Sequence, residues 1–406
     1  MRVLHVIPSV SPKRGGPSFA VLAMVRALRA HGVDAEIATT TDDGDGVLNV
    51  PVHQLTDREG VPVRFFPRYS PQLRPVREFA YSRPLADWLA RSIRDNDLLH
   101  VHAIFYYPPT QSMRLARAQA VPYINRPLGQ LCHWAIRHRG WKKRVYLAVV
   151  ERANLRGARG LHFTTEQERA EANAVVPGLP GFVVPHGVAV SESVPDARAR
   201  LRAQLGLPVD EPVVLFLGRL HAVKGLAILI PALGWIANQR FTFVLVGDAD
   251  TPAYEARVQA MLAAAGLSPR TRRLPFASGE WKQTLLQGAD VFALTSHSEN
   301  FGVAVVEAMA AGLPVVVTSG VALAEQVARH QAGDVVPMAE AAVAVAINRL
   351  LADRSSGQRM GEAGRRLVEQ EFAWPSVAAR LAAEYERILK RHSSAPTVSA
   401  RPAGAA

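Results

Sequence analysis

The sequence has a single cysteine among its 406 residues, Cys132, so no disulfide can form within the chain. This absence favours a reducing compartment, most simply the cytoplasm. The sequence also has no run of 18 apolar residues, because even the long apolar stretch 303–317 is interrupted by Glu307. We therefore expect no membrane-spanning helix. The apolar stretch 1–10 ends too early for the core of a signal peptide.

The excess of basic over acidic residues lies in the first half of the chain. Residues 1–187 contribute +10 of the formal net charge of +12, with 25 Lys and Arg against 15 Asp and Glu. The segment Trp134 to Gly160 has one acid, Glu151, and eight basic residues, which are Arg137, Arg139, Lys142, Lys143, Arg144, Arg152, Arg156 and Arg159. Such a segment suits an anionic membrane surface or an anionic ligand, and it equally suits a solvated helix face.

The length and composition predict two globular domains. Hydrophobic residues make up 49% of the chain and charged residues 20%, which excludes a disordered protein. We expect an N-terminal domain over residues 1–187 and a second domain over 188–374. A C-terminal helix, about 375–391, is expected to pack back on the first domain. Residues 392–406, rich in Ser, Pro and Ala, are expected to form a disordered tail.

Each half alternates short apolar strands with helices. The first half begins with a strand at 3–7, a helix at 17–32 and a strand at 34–40. The second half has the same order, with strands at 212–218, 241–247, 290–294 and 314–318 and a helix at about 223–238. Continuous apolar strands joined by helices indicate parallel sheets covered on both faces. The sequence therefore predicts an α/β protein with two Rossmann-like domains.

Loops that follow the strands of such sheets form the ligand sites. The loop SPKRGGPS contains Gly15 and Gly16 before a helix, where backbone amides favour an anion. It lacks the Gly-x-Gly-x-x-Gly pattern of dinucleotide-binding proteins. The loop GRLHAVKG contains Arg219 and Lys224, a pair that suits a diphosphate or, alternatively, is simply solvated.

Two carboxylates flank an Asn-Phe-Gly turn in the segment SENFGVAVVEAMAAGLPVV. Glu299 precedes the turn, and Glu307 lies eight positions later on the predicted helix. The helix N-terminus can offer amides to a diphosphate, while carboxylates on either side accept hydrogen bonds from sugar hydroxyls. Together with Arg219 and Lys224, this arrangement predicts a site for a nucleotide sugar.

These motifs resemble those of the family 4 (group 1) retaining glycosyltransferases, which have the GT-B fold of two Rossmann-like domains facing across a cleft. SENFGVAVVEAMAAGLPVV is similar to the family's Glu-x7-Glu signature, and GRLHAVKGL to its Gly-Arg-Leu-x-x-x-Lys-Gly motif. GGPSFAVLAMVRALRAHGVDAEIATT and DLLHVHAIFYYP are similar in a looser way. The resemblance runs from about residue 1 to 390.

The resemblance implies a role for each matching residue. Arg219 and Lys224 would hold the donor diphosphate and balance charge on the departing nucleotide, and Glu299 would contact the donor sugar. Other donor contacts are implied for Gly15 and Gly16 from the other domain, for the amides of Phe301, Gly302 and Val303, and for Glu307 at the ribose. Retention of the anomeric configuration is likewise carried over from the family.

One position departs from the family pattern. Many relatives have His-Gly where this chain has Leu128-Gly129. Arg126 or His133 could take the place of that imidazole in contacting the sugar or the acceptor. His102 is a further candidate, although a histidine at a strand end is more often a packed core residue.

We expect no metal and no cofactor other than the nucleotide-sugar donor as substrate. The Asp248-Ala249-Asp250 segment matches an Asp-x-Asp metal motif formally, but it is better interpreted as a turn before a helix. The segment DDGDG at 42–46 lacks the distal Glu of a calcium loop and is interpreted as a flexible loop.

The leading functional prediction is metal-independent transfer of a hexose to a glycan or a polyprenyl-diphosphate-linked acceptor in polysaccharide or glycoconjugate biosynthesis. The alternative is a nucleotide-sugar epimerase of the same architecture. The pI of about 10.3 suggests nucleic-acid binding, but the sequence has no recognised binding module. We expect a cytoplasmic enzyme that binds the inner face of the membrane peripherally, through Trp134 to Gly160.

Overall fold

The computed structural model describes residues 1–132, 135–136, 140–190 and 192–393. The chain divides into two compact units. The first unit contains Met1–Val184 and the last helix from Ala378, and the second contains Pro185–Val377. Within the described residues, no helix is both long and apolar enough to cross a membrane.

The first unit is built on an eight-stranded sheet. In spatial order its strands are Gly181–Val183 (β10), Gly160–Phe163 (β9), Tyr123–Arg126 (β8), Leu98–His102 (β7), Arg2–Val6 (β1), Asp34–Thr40 (β2), Val61–Phe66 (β6) and Leu55–Arg58 (β5). Every neighbouring pair is parallel except β5 and β6, which are antiparallel. The short strands Asp42–Asp43 (β3) and Gly46–Val47 (β4) form a separate hairpin.

Helices cover this sheet and join its parallel strands. They are Gly16–Ala30 (α1), Arg74–Glu78 (α2), Arg83–Ser92 (α3), Tyr107–Ala118 (α4), Gly140–Tyr146 (α5), Arg152–Gly157 (α6), Glu166–Val175 (α7) and, from Ala378, the last helix Trp374–Ser393. This last helix includes residues 392 and 393, which the sequence analysis assigned to the tail. The other predicted tail residues, 394–406, lie outside the described residues.

The second unit has a six-stranded, wholly parallel sheet. Its spatial order is Thr271–Leu274 (β13), Thr242–Val246 (β12), Val213–Leu217 (β11), Val291–Leu294 (β14), Val315–Thr318 (β15) and Gly333–Val336 (β16). The strand order therefore reverses direction between β11 and β14. Ligands of open parallel sheets bind outside the carboxyl ends of the strands at such a switch point.

The helices of the second unit lie between these strands. They are Ala197–Leu205 (α8), Leu226–Trp235 (α9), Pro252–Ala264 (α10), Gly279–Gly288 (α11), Val303–Ala310 (α12), Ala324–Arg329 (α13), Glu340–Ala352 (α14) and Arg354–Leu367 (α15). The predicted helix at 223–238 is shorter than expected, because Gly225 adopts a left-handed conformation (φ 70°) before α9. A Cβ atom on Gly225 would overlap the Thr295 carbonyl, so only glycine allows this close approach.

Candidate functional site

Lys224 and Glu299 meet at the switch point of the second sheet. Lys224 ends a short 3₁₀ turn after β11, and Glu299 follows β14. The Lys224 Nζ atom forms an ion pair with Glu299 Oε2, and about a fifth of each side chain is exposed, 21% and 18%. The two loops are joined by the His297 amide, which donates to the Val223 carbonyl at 2.8 Å. Two predicted catalytic residues, 75 positions apart, are thus in direct contact.

Arg219 lies at the same edge of the sheet but has a different partner. Its Nη1 atom donates to Asp250 Oδ1 at 2.6 Å. Asp250 follows β12, the parallel neighbour of β11, and had been interpreted only as a turn residue before a helix. Asp248, the other acid of that segment, accepts from the Phe276 amide at 3.2 Å. An anion bound by Arg219 must therefore compete with Asp250.

The amides predicted to contact the diphosphate lie at the start of α12. Gly302 is the N-cap residue in a left-handed conformation (φ 85°), and Val303 is the first helical residue. The amides of Val305 and Val306 already bond to the Gly302 carbonyl, so the amides before them are the ones at the helix tip. The ring of Phe301 is buried at 5% exposure and fixes this turn to the core.

Glu307 is ion-paired with Lys282, a residue that was not among the site residues predicted from the sequence. The Lys282 Nζ atom on α11 lies 2.8 Å from Glu307 Oε1, and both side chains are mostly buried, at 24% and 22% exposure. Each acid of the Glu-x7-Glu segment is therefore paired with its own lysine. No motif marks Lys282, because the helix that positions it follows a different strand.

In the first unit, Gly15 and Gly16 follow β1; Gly15 is the N-cap of α1, with a positive φ of 73°, and Gly16 is its first residue. Arg14, just before them, donates two hydrogen bonds to Asp42, at 2.7 and 2.8 Å. Arg68 is also ion-paired with Asp42. The interpretation of residues 42–46 as a flexible loop is therefore wrong for Asp42, which is 2% exposed and lies in the β3–β4 hairpin.

His102 belongs to a cluster of four buried histidines on one face of the first sheet. His162 Nε2 donates to the Val184 carbonyl at 2.8 Å, so its Nδ1 accepts from His100 Nε2 at 3.3 Å. His100 Nδ1 then accepts from the Tyr385 hydroxyl at 2.7 Å. The fourth member, His5, shares a 3.0 Å hydrogen bond with His102.

Burial keeps the imidazoles of His5, His100 and His102 neutral. Burial, together with the nearby charge of Arg126, lowers the pKa of His5 to about 3. Burial likewise lowers the pKa of His100 and of His102 well below the ordinary value. Nitrogens of His5, His100 and His102 lie within 4.8 Å of one another, a spacing that could hold a metal ion. However, both nitrogens of His100 already have hydrogen-bond partners, and an adjacent guanidinium disfavours a further cation.

The remaining predicted contacts are Arg126 and His133. Arg126 ends β8 beside His102, its register partner on β7, and is 3% exposed. Leu128, in the position of the family histidine, follows in a left-handed conformation (φ 56°). His133 lies outside the described residues.

Solved structures share this fold over the whole chain. Sucrose-phosphate synthase from Thermosynechococcus elongatus matches with a TM-score of 0.74 and 24% identity, covering 96% of this chain and 100% of that one. HepE of Anabaena, solved with UDP and glucose, matches with a TM-score of 0.73 and 21% identity over 95% and 100% of the two chains. These matches confirm the predicted fold class, GT-B with two Rossmann-like parallel-sheet domains.

Both halves of the chain also match family models. The model for group 1 glycosyl transferases matches residues 197–367, and the model for a glycosyl transferase 4-like domain matches residues 15–187. The chain belongs to the group 1 glycosyltransferases, enzymes that transfer glycosyl groups.

Curated relatives agree with this assignment. A D-inositol 3-phosphate glycosyltransferase of Xylanimonas cellulosilytica is 34% identical over 52% of each chain, so the match spans about half of that relative's length. Another, from an Arthrobacter species, is 26% identical over 96% of this chain and 94% of the relative. A 2-deoxystreptamine glucosyltransferase of Streptomyces kanamyceticus is 31% identical over 60% and 64%. None of these names supports the epimerase alternative.

Proposed function

We propose that this protein transfers a hexose from a nucleotide-diphosphate sugar to an acceptor hydroxyl with retention of configuration. The observation that carries the proposal is the contact between Lys224 and Glu299 at the switch point of the second sheet, with Arg219 at the same edge. Uridine is the donor nucleoside that we favour, since HepE of Anabaena was solved with UDP.

The pairing of each cation with a carboxylate suggests how the donor binds. When a diphosphate binds Lys224, the ion pair between Lys224 and Glu299 breaks. The Glu299 carboxylate can then accept hydrogen bonds from the hexose hydroxyls. Arg219 would likewise break its ion pair with Asp250 and bind a phosphate oxygen instead. The departing nucleoside diphosphate takes the electron pair of the anomeric C–O bond, and the acceptor oxygen forms the new bond to the same carbon. The acceptor proton passes to the leaving phosphate oxygen.

In this scheme two side-chain cations stabilise the leaving group electrostatically. We therefore propose that no metal ion is needed for departure of the nucleotide. The rate of glycosyl transfer, measured with EDTA and with added Mg²⁺, tests this directly, and equal rates are expected.

The acceptor has two candidate classes. The basic first unit favours an acceptor at an anionic membrane, such as a glycan carried on polyprenyl diphosphate. The relatives' names instead favour a cyclitol, because inositol phosphate and 2-deoxystreptamine are both polyhydroxylated six-membered rings. Transfer assays with a cyclitol panel and with lipid-linked acceptors separate these classes.

Glu307→Ala is expected to raise the dissociation constant for the donor about 10- to 100-fold, because a charge-assisted hydrogen bond contributes roughly 1.5–3 kcal/mol. Isothermal calorimetry with UDP-, GDP- and ADP-sugars measures this constant and identifies the donor. Glu255→Gln is the matched control, since Glu255 is also a carboxylate paired with a cation, Arg273, in the same unit. Unchanged affinity in Glu307→Ala would rule out the proposed ribose contact.

The described part of the basic segment supports peripheral binding to a membrane. Trp141, Val145 and Val149 are spaced four residues apart and are 70%, 54% and 76% exposed, so an apolar stripe faces outward. Exposed Arg144 and Arg152 lie beside this stripe. Exposed apolar side chains beside basic ones are typical of interfacial helices. Trp134, Arg137 and Arg139 of the same segment lie outside the described residues.

Replacing Lys142, Arg144 and Arg152 by Gln is expected to weaken binding to anionic vesicles roughly 100-fold, since each basic residue contributes about 1 kcal/mol. Sedimentation with vesicles of anionic phospholipid measures this partition. The matched control replaces three exposed arginines elsewhere in the unit by Gln, namely Arg91, Arg94 and Arg114. Equal partition of both variants and the wild type would contradict membrane docking by this segment.

A further inference from the structure

Arg126 is a buried cation that no acid in the described part of the chain contacts. It occupies the last position of β8 and is only 3% exposed. Among the described residues, its Nε atom has no hydrogen-bond partner and no acid side chain is ion-paired with it. A buried charge that is neither paired nor hydrogen-bonded is strongly unfavourable, so an anionic ligand that pairs with it would stabilise the protein.

The negative charge of Glu168 raises the pKa of Arg126, but Glu168 forms its hydrogen bonds with other residues. Its Oε1 atom accepts from the Gly129 amide, and its Oε2 atom accepts from the amide and the hydroxyl of Thr164, each at 2.8 Å. Burial outweighs the charge of Glu168, so the pKa of Arg126 falls to about 10. The charge of the guanidinium is therefore only partly compensated by Glu168.

The backbone around Arg126 is strained. Ala103 (φ 71°) and Phe105 (φ 65°) follow β7, and Leu128 (φ 56°) follows β8, all in the left-handed region although each has a Cβ atom. Such conformations cost free energy and cluster at ligand sites, where the surrounding structure holds them. Here they lie in the two loops that leave the strands of His102 and Arg126.

We propose that Arg126 binds a phosphate monoester carried by the acceptor. The planar guanidinium matches two oxygens of a phosphate, and the neutral histidines beside it add no competing charge. The identification of this ligand as the acceptor rests on the proposed transferase function. A phosphorylated sugar or cyclitol and a polyprenyl monophosphate share this chemistry.

Thermal unfolding with inorganic phosphate tests the site without any nucleotide, at ionic strength matched with NaCl. The comparison uses the wild type, Arg126→Met, Lys224→Ala and the surface control Arg114→Gln. Phosphate is expected to raise the melting temperature of the wild type, Lys224→Ala and Arg114→Gln by more than that of Arg126→Met, which keeps only the phosphate contacts of the donor loop. Without phosphate, Arg126→Met should melt at or above the wild-type temperature, because the variant no longer buries an unpaired charge.

Three results would overturn the proposal. Phosphate could fail to shift the wild type, it could shift Arg126→Met as much as the wild type, or the shift could be lost in Lys224→Ala alone, which places the phosphate at the donor loop. Glucose 6-phosphate and a micellar polyprenyl monophosphate then distinguish a soluble from a lipid source by the larger shift. Calorimetry with nucleotide sugars reports on the transferase proposal separately, since that proposal can fail while phosphate still binds Arg126.

Discussion

Replacing Lys224 by alanine is expected to lower kcat/KM for glycosyl transfer about 100- to 1,000-fold, the usual effect of removing one preorganised group that stabilises developing charge. The leaving diphosphate loses a cation, and Glu299 loses the ion pair that now holds it in place. Steady-state kinetics with the donor identified by calorimetry measures the change, and circular dichroism checks that the variant remains folded.

The matched control for this experiment is Arg240→Gln. Arg240 is also a cation of the second unit, paired with the exposed Asp210 at 2.6 Å, and it is not part of the candidate site. Its removal should leave kcat/KM unchanged. A Lys224→Ala enzyme with kcat/KM within threefold of the wild type would remove the main support for the proposed donor site.

Acid is expected to destabilise the first unit well before its carboxylates titrate. The pKa of His5 falls from 6.5 when unfolded to about 3 when folded, so the unfolded chain binds the proton more tightly. Stability is therefore fully present above pH 6.5 and is lost as the pH falls toward 3, by about 1.4 kcal/mol per pH unit for each such histidine. The pKa values of His100 and His102 shift in the same direction, which steepens the loss.

Urea unfolding between pH 8 and pH 5 measures this dependence. His5→Asn should flatten the slope of unfolding free energy against pH below 6.5. His31→Gln, which changes an exposed histidine at the end of α1, should leave the slope as it is. Identical slopes in the wild type and His5→Asn would show that His5 is not held neutral by the fold.

The second half of the candidate site was largely predictable, because its residues lie in short loops directly after apolar strands. Arg219, Lys224, Glu299 and Glu307 could be selected from contiguous motifs. The residues that pair with them could not be predicted from the sequence. Asp250 and Lys282 belong to other loops and helices, and only the order of the parallel strands and the packing of the helices place them beside Arg219 and Glu307.

The sequence by itself determined the α/β class, the doubling into two Rossmann-like domains and the positions of the candidate-site motifs, because buried parallel strands must be apolar and phosphate-binding turns need glycine and helix starts. Tertiary structure alone decided which charges are paired and which are buried. The histidine cluster comes from three strands, and Arg126 has no counter-ion in contact among the described residues. Burial and ion pairing depend on neighbours far along the chain, so no local pattern encodes them.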